Sequence, residues 1–232
     1  MSPCTETGPE RMHAARRLGP SLVAACVALL AGMLAASSTH AQGGEAKCGN
    51  PFVNNNFGPF DYRSARKEDL KVVEEHHFTP RIEQLQKGER DVGSDLTYTL
   101  YIFPNHHRAL IAITRLAQRD KTDQPYKSGR TIECWYDRAV RFRPDDTVVR
   151  VLFAQYLGRD KRTDEAMVQL DMASQQAKDN PFSHYNIGLL YFELGNHERA
   201  VQQAHKAIAL GMNRPELTDM LKREGKWREP TP

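Results

Sequence analysis

The sequence predicts an all-α protein, a helical-hairpin repeat solenoid with an irregular N-terminal arm, and three observations predict it. Residues 147–180 and 181–214 superimpose without a gap at a shift of 34. Matching places keep bulk with bulk and small with small: Phe153, Ala154, Leu157, Ala166, Leu170 and Ala173 stand where Ile187, Gly188, Tyr191, Ala200, Ala204 and Ala207 stand in the second segment. Apolar residues also recur at helical spacing, so each segment reads as two short amphipathic helices whose small residues mark a close approach of backbones. Neither pair could bury its apolar face alone, and stacking on a neighbour supplies the cover.

The elements follow in order. Arg11, Arg16 and Arg17 precede an apolar run from Leu22 to Ala36, and Thr39-His40-Ala41 offers small residues for cleavage, so 1–41 reads as a signal peptide. The run is shorter than the roughly 20 apolar residues a bilayer needs, which argues against a retained anchor. It also continues past Cys26, which argues against lipidation at Val23-Ala24-Ala25-Cys26. Residues 42–65 read as an extended arm: Pro and Gly between Asn54 and Tyr62 oppose a regular element, and Phe57, Phe60 and Tyr62 need cover along the array. A segment offered to another protein is the other reading of that stretch. Residues 66–106 form a degenerate helical unit, with helices over Lys67–Phe78, after Pro80 through Ile82 and Leu85, and over Leu96–Pro104. In 107–146, Ala109, Leu110 and Ile113 mark a first helix and Tyr136, Ala139, Val140 and Pro144 a second. About six extra residues lie between them in the polar stretch 120–129, which has loop composition. The units 147–180 and 181–214 come next. Residues 215–232 are a capping helix and tail, with Pro215 at the start, Leu217, Met220 and Leu221 on one stripe and Gly225 near the end.

Ile187, Gly188, Tyr191, Gly195, Ala200, Ala204 and Ala207 form a pattern that resembles the tetratricopeptide repeat (TPR), whose period is also 34. Met212 stands where that repeat usually closes on proline. The resemblance implies that first helices line a concave groove holding an extended peptide or a helix of a partner. The groove places carried over are Arg108, Ile111, Arg115, Gln118 and Arg119, then Val148, Val151, Gln155, Gly158 and Arg159, then Phe182, Tyr185, Leu189, Phe192 and Glu193. Asn186 matches a place that contacts peptide backbone. Of these, Arg108, Arg115, Arg119, Val151, Gln155, Arg159, Tyr185, Asn186 and Leu189 are the expected partner-binding set. A face graded from arginines to aromatics suits a ligand with an acidic portion and an apolar anchor. The alternative for Phe182, Leu189 and Phe192 is cover by the C-terminal cap.

Composition excludes little. The formal charge is +3, and loss of 1–41 removes three Arg and two Glu, leaving +2. No Lys/Arg cluster interleaved with aromatics is present, so a nucleic-acid partner is not expected. Cys4 and Cys26 leave with the signal, and Cys48 and Cys134 remain for an oxidising compartment. With Tyr136 and Ala139 inward, the side chain of Cys134 is expected to turn outward; a bond to Cys48 would explain an exposed thiol and pin the arm. Two unpaired thiols are the other reading.

Glu74, His77, His106 and His107 have the ligand types that zinc or copper takes, and Glu74 and His77 share a helix face. Adjacent histidines point to different faces, however, and no His-Glu-x-x-His spacing occurs, so a structural role is the leading reading and a metal-binding protein the alternative. Ser64, Ser94 and Ser128 sit in no nucleophile-elbow context, and the glycines form no phosphate cradle. The expectation is thus a non-enzymatic, cofactor-free exported scaffold, periplasmic or extracellular, that binds a protein or peptide partner.

Overall fold

The computed structural model describes residues 47–53, 57–86 and 91–230. The expected signal segment, the start of the expected arm and Asn54–Asn56 lie outside the described residues. Ten helices occupy the described chain: α1 (Lys67–His76), α2 (Pro80–Glu83), α3 (Val92–Ile102), α4 (His107–Asp120), α5 (Ile132–Phe142), α6 (Thr147–Arg159), α7 (Thr163–Gln176), α8 (Pro181–Glu193), α9 (His197–Ala209) and α10 (Glu216–Arg223). The described residues contain no strand, and none of their helices is long and apolar enough to cross a membrane.

The helices pack in adjacent pairs, and the tightest pairs are α6 with α7 and α8 with α9. Small side chains cause this. Ala154, Ala166 and Ala173 are fully buried between α6 and α7, as are Ala200, Ala204 and Ala207 on α9 against α8. A side chain of one carbon lets two backbones approach until their ridges interlock. Alternate helices also touch in succession, α4 with α6, α6 with α8 and α8 with α10.

The repeat extends to the helix ends. Asp146 accepts from the N–H groups of Val148 and Val149 to start α6, and Asn180, at the matching place, accepts from Ser183 N–H to start α8. The turn after α6 closes on Lys161 at φ 61°, and the turn after α8 on Gly195 at φ 80°. The left-handed region suits glycine better than lysine.

Three apolar clusters fill the unit. One runs from α6 to α10, a second from α2 to α5, and Phe153 and Tyr156 of α6 pack on both. Phe153 stacks on Tyr136 with centroids 5.2 Å apart. The third cluster holds the arm: Phe57, Phe60 and Tyr62 pack against Val73, Ile102 and Phe103, and Phe60 N–H donates to Ile102 O at 2.8 Å. The arm therefore lies along the helices, as its aromatics require. At the other end Leu217 and Leu221 of α10 are buried and Met220 is half-buried.

Cys48 and Cys134 form a disulfide between residues 86 apart. The expected exposure of Cys134 is corrected: it is 6% exposed, because the side of α5 that carries it is covered by the segment bearing Cys48. The cover comes from the arm, where Arg141 donates to Gly49 O at 2.7 Å and Arg138 to Asn50 O at 2.9 Å.

Candidate functional site

Helices α6 and α8 lie side by side and leave a cleft of about 270 Å³ between them. Thr147, Val148, Val151, Leu152 and Gln155 come from α6; Ser183, Asn186, Leu189, Leu190 and Glu193 come from α8. The spacings 148–151–155 and 186–189–193 put each set on one helix face. The floor is aliphatic and the walls carry two amides, Gln155 and Asn186, with Glu193 the one carboxylate in the lining. An amide has donors and an acceptor, so the pair can bond to an extended backbone, while the valines and leucines take apolar side chains. Val148 is 43% exposed, and Phe182 of α8, one turn from Asn186, is 60% exposed.

Four members of the expected partner-binding set, Val151, Gln155, Asn186 and Leu189, meet in this cleft. The other five do not line it. Tyr185 is 6% exposed, and its hydroxyl donates to Glu216 of α10 at 3.1 Å. The cap thus covers Tyr185, whereas Phe182 remains open and Leu189 faces the cleft, a division that the alternatives in the sequence did not contain. Arg159 is exposed at the end of α6.

The expected arginine face is largely neutralised. Arg108 donates to Glu83 at 2.8 and 2.5 Å and to Glu74 at 3.2 Å. Glu83 is held below the usual carboxylate range, chiefly by that hydrogen bond. Arg119 donates to Asp120 at 2.8 Å and to Leu85 O at 3.0 Å. Arg115 is exposed on α4. Glu83 and Leu85 reach this face because the turn around α2 folds onto α4, a placement that helical spacing along α4 does not reveal.

His77, His106 and His107 are structural joints. His77 Nδ1 lies 3.0 Å from Asp95 Oδ1. His107 Nε2 lies 2.9 Å from Asp146 Oδ2. His106 is fully buried, and its Nδ1 accepts from Ala109 N–H at 3.1 Å, capping α4. The ring proton therefore sits on Nε2, 3.3 Å from Glu74 Oε1 but off the line of a good hydrogen bond. Among the described residues no group of three or more His, Cys, Asp or Glu side chains converges to hold a metal ion.

Sequence reasoning missed a polar joint around Asn105. Its Nδ2 donates to Asp61 at 2.7 Å and to Asp146 at 2.8 Å, and its Oδ1 accepts from Tyr62 N–H at 3.0 Å. Arg143 donates to Asp61 at 2.8 Å. Burial pushes the Asp146 carboxyl up, and the bonds from His107 and Asn105 more than reverse this, leaving it below its ordinary range. This joint ties the arm to the α3–α4 turn and to the start of α6. Asp146 before an apolar run was the one available signal, as an N-cap.

In comparisons with known proteins, no family model matches the sequence, and no curated protein does.

Proposed function

We propose that the protein is an exported, TPR-type scaffold that holds an extended segment of a partner protein in the cleft between α6 and α8, as part of an envelope-associated assembly. The cleft carries this reading. It lies between the first helices of the two gapless 34-residue units, and Val151, Gln155, Asn186 and Leu189 line it together. Shared caps at Asp146 and Asn180, shared left-handed turns at Lys161 and Gly195, and contact between alternate helices support the TPR-type description. The disulfide is compatible with export to an oxidising compartment. Because Arg108 and Arg119 are already paired, the ligand's main requirement is an apolar side chain and a free backbone rather than an acidic stretch.

The test uses the oxidised chain as bait in an envelope extract, beside Val148→Glu and Asn186→Ala, both at exposed places in the cleft. Captured partners should be lost from Val148→Glu and reduced for Asn186→Ala, with circular dichroism and melting unchanged. Undiminished capture by both variants would move the binding surface elsewhere. The metal-binding alternative receives no support from geometry, since His77 and His107 are each committed to a different aspartate.

A further inference from the structure

A second cleft, of about 590 Å³, opens where the arm crosses α3 and α5. Phe57 of the arm and Tyr98 and Tyr101 of α3 form aromatic walls, and Arg130 and Arg138 join Asn50, Val53 and Ile102 in the lining. Arg138 is only 1% exposed. Its Nη1 donates to Asn50 O at 2.9 Å. Among the described residues its Nε and Nη2 are buried with no hydrogen-bond partner, and the Nε of Arg130 is in the same condition.

Such an arrangement needs a reason, because a buried guanidinium is ordinarily matched by a carboxylate. Among the described residues neither Arg130 nor Arg138 forms an ion pair, and the neighbouring carboxylate, Asp137, is taken by Arg141 at 2.7 Å. What surrounds Arg138 instead is aromatic: its guanidinium lies over the rings of Tyr101, at 5.2 Å, and Trp135, at 5.8 Å. Arg130 lies over the same Tyr101 ring at 5.7 Å. Burial, and then the charge of Arg130, pull the Arg138 guanidinium down to about 10.

The idle donors have a specific shape. Nε–H and Nη2–H run parallel along one edge of the guanidinium, which is the edge that grips a carboxylate with two bonds. Flat aromatic walls next to it fit an apolar body. We infer that this cleft binds a small organic carboxylate with a flat apolar body, its carboxylate held side-on by Arg138 and flanked by Arg130. The donor edge is shielded from bulk water, so the carboxylate sheds its hydration on entry and the paired bonds to Arg138 replace it. This site is separate from the α6–α8 cleft and shares no lining residue with it.

Benzoate is the probe, titrated by calorimetry into the oxidised full chain in low-salt buffer, with benzyl alcohol, sulfate and phosphate as parallel arms. Benzoate should bind saturably and benzyl alcohol should not, since only the former brings the charge. Arg138→Met should weaken benzoate at least tenfold while folding normally, because an unmatched buried charge is replaced by a similar apolar volume. Should that variant fail to fold, Arg130→Gln, at a half-buried place, should weaken benzoate severalfold by itself. The inference is overturned if benzoate gives no saturable binding to the wild-type chain, if benzyl alcohol binds equally, if sulfate or phosphate binds in its stead, or if Arg130→Gln binds benzoate undiminished.

Discussion

Leu217 of the capping helix rests directly on Gly188 of α8: a Cβ at position 188 would stand 2.6 Å from Leu217 Cδ2, 3.2 Å from Gln203 Cβ and 3.4 Å from Ala200 O. Three elements, α8, α9 and α10, thus meet at one missing side chain. The glycine is there for space, not for a special backbone angle, since it lies inside a helix.

Gly188→Ala should therefore destabilise by about 1 kcal/mol and Gly188→Leu by about 3 kcal/mol, the range expected for overpacking a closed site. Urea unfolding measures both. The leucine side chain should also lever the cap away, exposing Trp227, which packs against the same cluster. A wild-type unfolding midpoint for Gly188→Leu would show that the α8–α9–α10 junction is loose.

Reduction of the Cys48–Cys134 bond frees the carbonyls of Gly49 and Asn50 from their register on Arg141 and Arg138. A closed loop of this length constrains the unfolded chain by nominally about 4.5 kcal/mol. Cys48→Ala with Cys134→Ala should lose an amount of that order, read as the shift in urea midpoint against the oxidised chain. Peptide mapping without reductant should recover the two cysteines linked, and quantitative labelling of both thiols in exported protein would sink the assignment.

His106 makes stability depend on pH in a defined direction. Burial lowers its pKa below the ordinary 6.5 despite Glu74 nearby, with Arg108 and His107 opposing the charge further and Tyr62 and Phe78 packed on the ring. The folded state holds the imidazole neutral. As pH falls below 6.5 the unfolded chain gains a proton that the folded chain refuses, so stability is full above the unfolded value and declines toward the folded one. The urea midpoint should fall between about pH 7 and pH 5, and His106→Asn, which keeps an N-cap acceptor, should flatten that slope. Equal slopes in the two proteins would assign the titration to another group.

How much of this was legible depends on the distance in sequence between cause and effect. The gapless shift of 34 predicted α6 to α9 because helix pairing there is local and leaves its mark as alanine at fixed places. The pairing of Cys48 with Cys134 was legible from compartment and count. The burial of Cys134 was not, because cover on the outer side of α5 comes from the arm. The pairing of Arg108 was hidden for the same reason: Glu74 and Glu83 approach it from α1 and α2. Gly93 is another such place, where a Cβ would collide with the carbonyl of Tyr126 only because the loop after α4 folds back. Arg138 has no sequence signal at all, since an arginine in a helix is ordinarily solvated.

Asn105 offers the sharpest test of the buried joint between arm and helices. Fully buried, it donates to both Asp61 and Asp146, so a change to Asn105→Asp removes two donors and adds a third carboxylate among two. Arg63 and Arg143 already serve Asp61, Arg63 lies 3.5 Å from Asp146, and His107 is bonded to Asp146, so every cationic group nearby is already engaged. The variant should lose about 3–5 kcal/mol at neutral pH, the range for an uncompensated buried charge. The sign of its pH dependence is opposite to that of His106. Burial and like charge raise the folded pKa of the introduced carboxyl above the ordinary value near 3.9, so its penalty is relieved as pH falls through that raised value. Relative to wild type, the variant should thus recover midpoint between about pH 7 and pH 5. Asn105→Ala, which adds no charge, should be destabilised without that recovery. A parallel pH course for the two variants would mean that Asp61 and Asp146 do not share the electrostatic environment of position 105.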